Sequence, residues 1–251
     1  MARSKDPVTS KQAVREEVWS ELERSGAARF PGAKGRVPNF AGAERAAERL
    51  ADVLEWLEAG VVKANPDAPQ LPVRARALAE GKLVFMAVPK LAAPRPFILL
   101  DPARVMVAPR RAVSIRGAAQ HGRSVAVSRV RHVDLIVCGS VAVNRGGVRV
   151  GKGGGYSDLE FALLRETGAV DERTVIVTTV HPVQVRGEEL PETEHDFRVD
   201  VIVTPDEVIR PAQRTRPPGI LWDHLEDEKV EAIPALGAIA RRRGTRTRRR
   251  V

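Results

Sequence analysis

Four glycines stand among the five residues Gly151-Lys152-Gly153-Gly154-Gly155, and Tyr156-Ser157-Asp158-Leu159-Glu160 follow at once in a helix-like register. Glycine loses the most backbone freedom on folding and has no side chain to pack, so this cluster does not serve stability. It permits close backbone approach to a ligand and leaves N–H groups free. Ahead of a helix N-terminus, those amides and the helix dipole form an anion site, which Lys152 and Arg149 reinforce; phosphate is the anion such a site suits. An ordinary glycine turn between strand and helix is the other reading. A Walker A loop is rejected: 146–153 reads G-x-x-x-x-G-K-G, with Gly153 in place of the magnesium-holding Ser or Thr. A dinucleotide fingerprint fails too, because Tyr156 occupies the third glycine position.

A second group of reactive side chains lies at 190–204. Glu192, Glu194, Asp196 and Asp200 crowd a loop that enters a strand-like run. Magnesium takes hard oxygen ligands, commonly one or two carboxylates together with substrate phosphates. Asp196 with Asp158, beside the glycine loop, would make such a site; Asp196 reads equally as a turn or capping aspartate. His195 invites a general-base role, yet no G-x-S-x-G elbow supplies a nucleophile. Cys138 ends an apolar run and reads as a small core hydrophobe. His181, at the end of another run, reads as structural.

These residues need elements to place them. Ser10 as N-cap and a stripe of Val14, Val18, Trp19 and Leu22 predict a helix over 10–24, with Lys11 and Arg15 sharing its polar face. Further helices are predicted over 42–59, over 72–80 with Pro72 at its first position, and over 159–166. Apolar runs at 61–64, 83–88, 97–100, 125–130, 133–138, 174–180 and 200–204 predict strands. Runs that do not alternate, separated by helices, indicate an α/β fold with a mostly parallel sheet covered on both faces. Ligands in such sheets bind at the carboxyl ends of strands, where the glycine loop would sit. Trp222 reads as a packing anchor for a C-terminal extension whose last amphipathic segment is 225–240.

Composition bounds the classes. The chain has 251 residues, 43% of them hydrophobic, and none of its apolar runs is long enough to span a bilayer. No apolar signal region follows Met1, and the single Cys138 excludes an internal disulfide or a cysteine-rich zinc site. A cytoplasmic protein, monomeric or dimeric, with no membrane partner is the expectation. Seven arginines within 241–251 supply most of the net charge of +9, leaving the other 240 residues at +2. That block reads as a basic disordered tail that holds nucleic acid only weakly. The organisation predicted is an N-terminal segment 1–10, a domain 11–210, an extension 211–240 and the tail 241–251.

Lys11-x-x-x-Arg15, the G-x-G-G-G-Y-x-D stretch from Gly151 to Asp158, Gln184, and Leu190-Pro191 through His195-Asp196 to Asp200 together resemble the 5-formyltetrahydrofolate cyclo-ligase, or methenyltetrahydrofolate synthetase, family. Val37-Pro38-Asn39-Phe40, Lys63-Ala64-Asn65-Pro66-Asp67 and Gly139-Ser140-Val141-Ala142-Val143 look like its methenyltetrahydrofolate synthetase domain-containing branch. The resemblance implies a three-layer α/β/α fold of the NagB/RpiA/CoA-transferase-like kind and a reaction dependent on ATP and Mg²⁺. ATP phosphorylates the formyl oxygen of 5-formyltetrahydrofolate, the neighbouring ring nitrogen attacks the activated carbon, and phosphate leaves to give 5,10-methenyltetrahydrofolate. Lys11, Arg15, Arg149, Gly151, Lys152, Gly153, Gly154, Gly155 and Tyr156 correspond to the ATP site, and Asp158 and Asp196 to the magnesium carboxylates. Ser157 stands where most members have a second tyrosine, and Leu159 where many have an arginine. The pterin-side glutamate between the strand at 61–64 and the helix at 72–80 is replaced by Asn65, Asp67 and Gln70, which with Tyr156 are the substrate-binding candidates. The competing functions are a relative that binds nucleotide without turnover or acts on a different substrate, and a nucleic-acid binder acting through the basic tail.

Overall fold

The computed structural model describes residues 7–248. Helix α1 (Pro7–Arg24) is followed by α2 (Ala43–Ala51) and α3 (Leu54–Glu58). Then come β1 (Val61–Ala64), α4 (Leu71–Ala79), β2 (Leu83–Ala87), β3 (Phe97–Leu100), α5 (Pro109–Ala112), α6 (Ile115–His121), β4 (Arg123–Val125) and β5 (Leu135–Cys138). Short strands β6 (Ala142–Asn144) and β7 (Arg149–Val150) lead into α7 (Tyr156–Glu166). Strands β8 (Val175–Thr179), β9 (Val185–Arg186), β10 (Val201–Val203) and β11 (Val208–Ile209) precede α8 (Asp227–Ala232) and α9 (Pro234–Arg248).

An eight-stranded sheet in the order β11-β10-β8-β5-β1-β2-β3-β4 forms the middle layer. Its centre, from β10 to β2, is parallel throughout, and β3, β4 and β11 add antiparallel edges. Successive side chains on a strand point to opposite faces. Val62, Ala64, Val84 and Val137 therefore pack under Leu50, Trp56, Val73 and Ala77 of the helices α2 to α4. Phe85, Ile136 and Cys138 face the other way, against Leu159, Phe161 and Leu163 of α7 and against Ile233 and Leu236 from the C-terminal segment. The result is a three-layer α/β/α fold in which both sheet faces are dry, which is why the central strands read as unbroken apolar runs.

The sequence-based elements differ from the structure where chain length or period misleads. The run at 125–130 is not a strand: β4 ends at Val125, and Val127–Arg129 form a 3-10 turn. Val125 and Val127 keep a strand's two-residue period, but Val130 turns inward out of phase. The helix predicted over 42–59 breaks at Val53, whose backbone is extended and whose side chain is buried. A second sheet, β7-β6-β9, was not anticipated at all. Helix α1 starts three residues before Ser10. At the other end α9 continues to Arg248, so the stretch read as a disordered tail is helical that far, and 249–251 lie outside the described residues. Trp222 does pack against the α7-side core, as do Leu225 and Val230. No helix among the described residues is long and apolar enough to cross a membrane.

Candidate active site

Strand β1 has β5 on one side and β2 on the other, so the connections leaving it diverge and a crevice opens at the carboxyl ends of these strands. A cleft of about 630 Å³ lies there. Its walls are Asn65 and Asp67 beyond β1, Val88 and Lys90 beyond β2, Gly139 beyond β5, and the glycine loop with the first turn of α7.

The loop adopts backbone that only glycine takes freely: φ is 105° at Gly153 and 67° at Gly155. Gly155 is the N-cap of α7 and no side chain caps that helix, which leaves its N-terminal dipole available to a ligand. At Gly154 a β-carbon would sit 2.8 Å from Cδ2 of Tyr156, so the loop leaves no room for a side chain there. Cations surround it. Arg15 of α1 donates from Nε to the carbonyl of Gly151 at 2.7 Å. Lys152 bonds Asp67 across the cleft at 2.8 Å. Arg149, on β7, is buried; it donates to Asp158 Oδ1 at 2.8 Å and to the carbonyl of Gly139 at 3.1 Å, and it lies over the Phe197 ring. Burial disfavours its charge, but the Asp158 carboxylate outweighs that and holds its pKa above the usual value. Its Nε is buried without a partner. An orphaned guanidinium donor beside glycine amides is chemistry that suits an oxyanion.

Arg15 reaches the loop from outside the cleft, and Lys11, one turn earlier on α1, bonds the 190–204 segment instead. The Lys11 ammonium is ion-paired with Asp196 and bonds Thr193 Oγ1 at 3.2 Å. Burial would raise the Asp196 pKa, but Lys11 and the donors of Thr193 hold it below the usual carboxylate range. Arg15 is shifted downward, chiefly by burial, with Asp196 opposing. Asp158 and Asp196 thus each already face a cation. Among the described residues no group of three or more His, Cys, Asp or Glu side chains is arranged to hold a metal. Magnesium would have to share these carboxylates with oxygens of a ligand, as it does in phosphate sites.

At the other end of the cleft Asn65 donates to Ser157 Oγ at 2.6 Å and accepts from Lys63 Nζ at 3.0 Å. Asn65, Asp67 and Tyr156 line the cleft. Gln70 does not: it is fully buried, with its amide directed at Thr179. Two features escaped the sequence reading. Glu160 of α7, which lines the cleft, forms a buried ion pair with Lys63 of β1. The signal was a lysine inside an apolar strand, which cannot be buried without a counter-charge. Arg74 of α4, also buried, donates to the carbonyls of Asn65 and Asp67 at 2.5 and 2.9 Å and so holds the turn after β1. Burial pulls its pKa down to about 10, which leaves it charged at neutral pH. Cys138 is enclosed, and burial pushes its thiol up; His181 caps a 3-10 turn, and burial lowers its pKa.

The sequence model of the 5-formyltetrahydrofolate cyclo-ligase family matches residues 7–205. The chain belongs to this family. Among relatives, the methenyltetrahydrofolate synthase domain-containing protein of Bos taurus is 37% identical over 236 residues, covering 92% of this chain, and that of Homo sapiens is 37% identical over 238 residues, covering 93%. The chain spans 62% of the length of either relative. Both alignments are longer than the stretch the cyclo-ligase family model matches, so they continue into the C-terminal segment. A solved structure, the 5,10-methenyltetrahydrofolate synthetase of Aquifex aeolicus, matches with a TM-score of 0.51 at 24% identity, covering 86% of this chain and 99% of that one. It shares the cyclo-ligase fold.

Proposed function

We propose that the chain is a 5-formyltetrahydrofolate cyclo-ligase that uses MgATP, with the phosphates in the glycine loop and the folate in the part of the cleft bounded by Asn65, Asp67 and Tyr156. The observation that supports this most is the loop itself: left-handed glycines, an uncapped helix N-terminus and the buried donors of Arg149 converge on one cleft in a member of this family. Phosphoryl transfer to the formyl oxygen turns it into a leaving group, and closure of the ring nitrogen onto the carbon expels phosphate. Such chemistry needs positioning and charge neutralisation and no protein nucleophile. Arg149 and Lys152 neutralise phosphate charge, and Arg15 fixes the loop by holding the Gly151 carbonyl away from the ligand. Asp158 orients Arg149 and, with Asp196, would hold Mg²⁺, which would add positive charge against the phosphates.

The test is formation of methenyltetrahydrofolate followed by absorbance. Product should form only when ATP, Mg²⁺ and 5-formyltetrahydrofolate are all present, and Asp158→Asn should lower the rate by about 100-fold, the scale of losing one well-placed electrostatic group. ATP binding without product under any condition would favour a nucleotide-binding relative that lacks this turnover.

A further inference from the structure

Lys229 lies on α8, in the segment beyond the residues that the family model matches. It is nevertheless in contact with the glycine loop. Its Nζ donates to the carbonyl of Gly154 at 3.1 Å and lies 5.5 Å from the centroid of the Tyr156 ring. The same atom is 3.3 Å from where a β-carbon on Gly155 would be. The segment is firmly seated: Ile233 and Leu236 are buried in the α7-side core, Leu225 and Val230 pack on it, and the Ile220 amide donates to Glu166 of α7 at 3.2 Å.

We infer that Lys229 is a positioning residue of the phosphate loop, contributed by the C-terminal segment, which sets the direction of the Gly154–Gly155 peptide for nucleotide binding. A trans peptide is planar, so its C=O and N–H point in opposite directions. Drawing the Gly154 carbonyl toward Lys229 therefore aims the Gly155 N–H the other way. Gly154 and Gly155 line the cleft and Lys229 does not, so that direction is the ligand's side. Between two glycines the peptide has little to stop it from turning over, and an ammonium on the carbonyl biases it to one orientation. Arg15 makes the equivalent contact at the other end of the loop, on the Gly151 carbonyl. The two cations hold the loop's carbonyls from outside and leave its amides as the inner, anion-facing surface.

This inference rests on the loop being the nucleotide site, and the experiment separates the two. Binding of ADP and of 5-formyltetrahydrofolate to the full chain is measured by calorimetry for wild type, Lys229→Met and Lys229→Arg, alongside thermal melting. Lys229→Met should weaken ADP about tenfold, the scale of one hydrogen bond to a charged group. It should leave folate affinity and melting temperature unchanged, and Lys229→Arg, which keeps charge and donors, should restore most of the ADP affinity. Wild-type protein that binds no ADP overturns the nucleotide site itself. ADP binding by Lys229→Met at wild-type strength, or a parallel loss of folate affinity, overturns the positioning role alone.

Discussion

The buried pair of Lys63 and Glu160 joins the central strand to α7, with Glu160 at the wall of the cleft. Two charges in a dry interior depend on each other, because removing one leaves the other unsolvated. Lys63→Met should therefore cost about 3–5 kcal/mol of stability, and Glu160→Gln a comparable amount. The double replacement by apolar residues of similar size should cost much less than either single one. Urea unfolding of the three variants checks this; equal and additive losses would mean that the two side chains are not coupled. Asn65, which accepts from Lys63 and donates to Ser157, passes this arrangement to the polar wall. A lysine inside an apolar strand signals that a counter-charge is needed, but not which one, because Glu160 lies 97 positions away. The glycine loop was legible, since four glycines with a lysine among them are a local compositional signal. Gln70 was misplaced as a cleft residue because proximity in sequence to Asn65 and Asp67 says nothing about which way a 3-10 turn directs its side chains.

At the scale of elements, α1 is held to the site by Lys11 on Asp196 and by Arg15 on Gly151. Asp196 has its pKa below the ordinary value in the folded protein, so its contribution to stability is complete above the unfolded carboxylate pKa of about 4 and is lost as pH falls through the folded value. Lys11→Met removes the main group that holds the pKa down. Acid unfolding monitored by circular dichroism should then begin at higher pH than in wild type, whereas Asp196→Asn should flatten the same limb. Identical acid transitions in all three proteins would show that this pair does not couple α1 to the fold. Strands β1 and β3 match their predicted ranges because both are short, continuous apolar runs. Strands β6, β7 and β9 have only two or three residues each, too few for any period to register. The 3-10 turn at Val127–Arg129 imitates a strand for the same reason: two inward valines at the right interval suffice to mislead.

Across the whole molecule, the C-terminal segment is part of the core rather than an appendage. Ile220, Ile233 and Leu236 are buried among residues of α7 and the sheet. A chain cut after Pro205, where the family match ends, would expose that apolar face. It should aggregate or melt at least about 10 °C lower, since several buried side chains are worth roughly 1.5–3 kcal/mol each. A cut after Ala240 keeps those contacts and should preserve the fold and nucleotide affinity. It also removes seven arginines, so any affinity for RNA should vanish with it, and in the full chain that affinity should fall steeply between about 50 and 200 mM salt. Filter binding of the full-length and shortened proteins decides the point: RNA retained by the shorter one would place the polyanion surface on the folded body.

Lys229 is made long after the loop it contacts, 75 residues later in the chain. Synthesis runs from the N-terminus, and domains fold as their parts emerge. The sheet and the glycine loop can therefore assemble while the segment that orients the loop is still inside the ribosome. A nascent chain released early, or arrested before α8 emerges, would carry every loop residue and still lack a finished phosphate site. If Lys229 orients the loop, full nucleotide affinity comes only once α8 has docked, at a later point in synthesis than the loop itself.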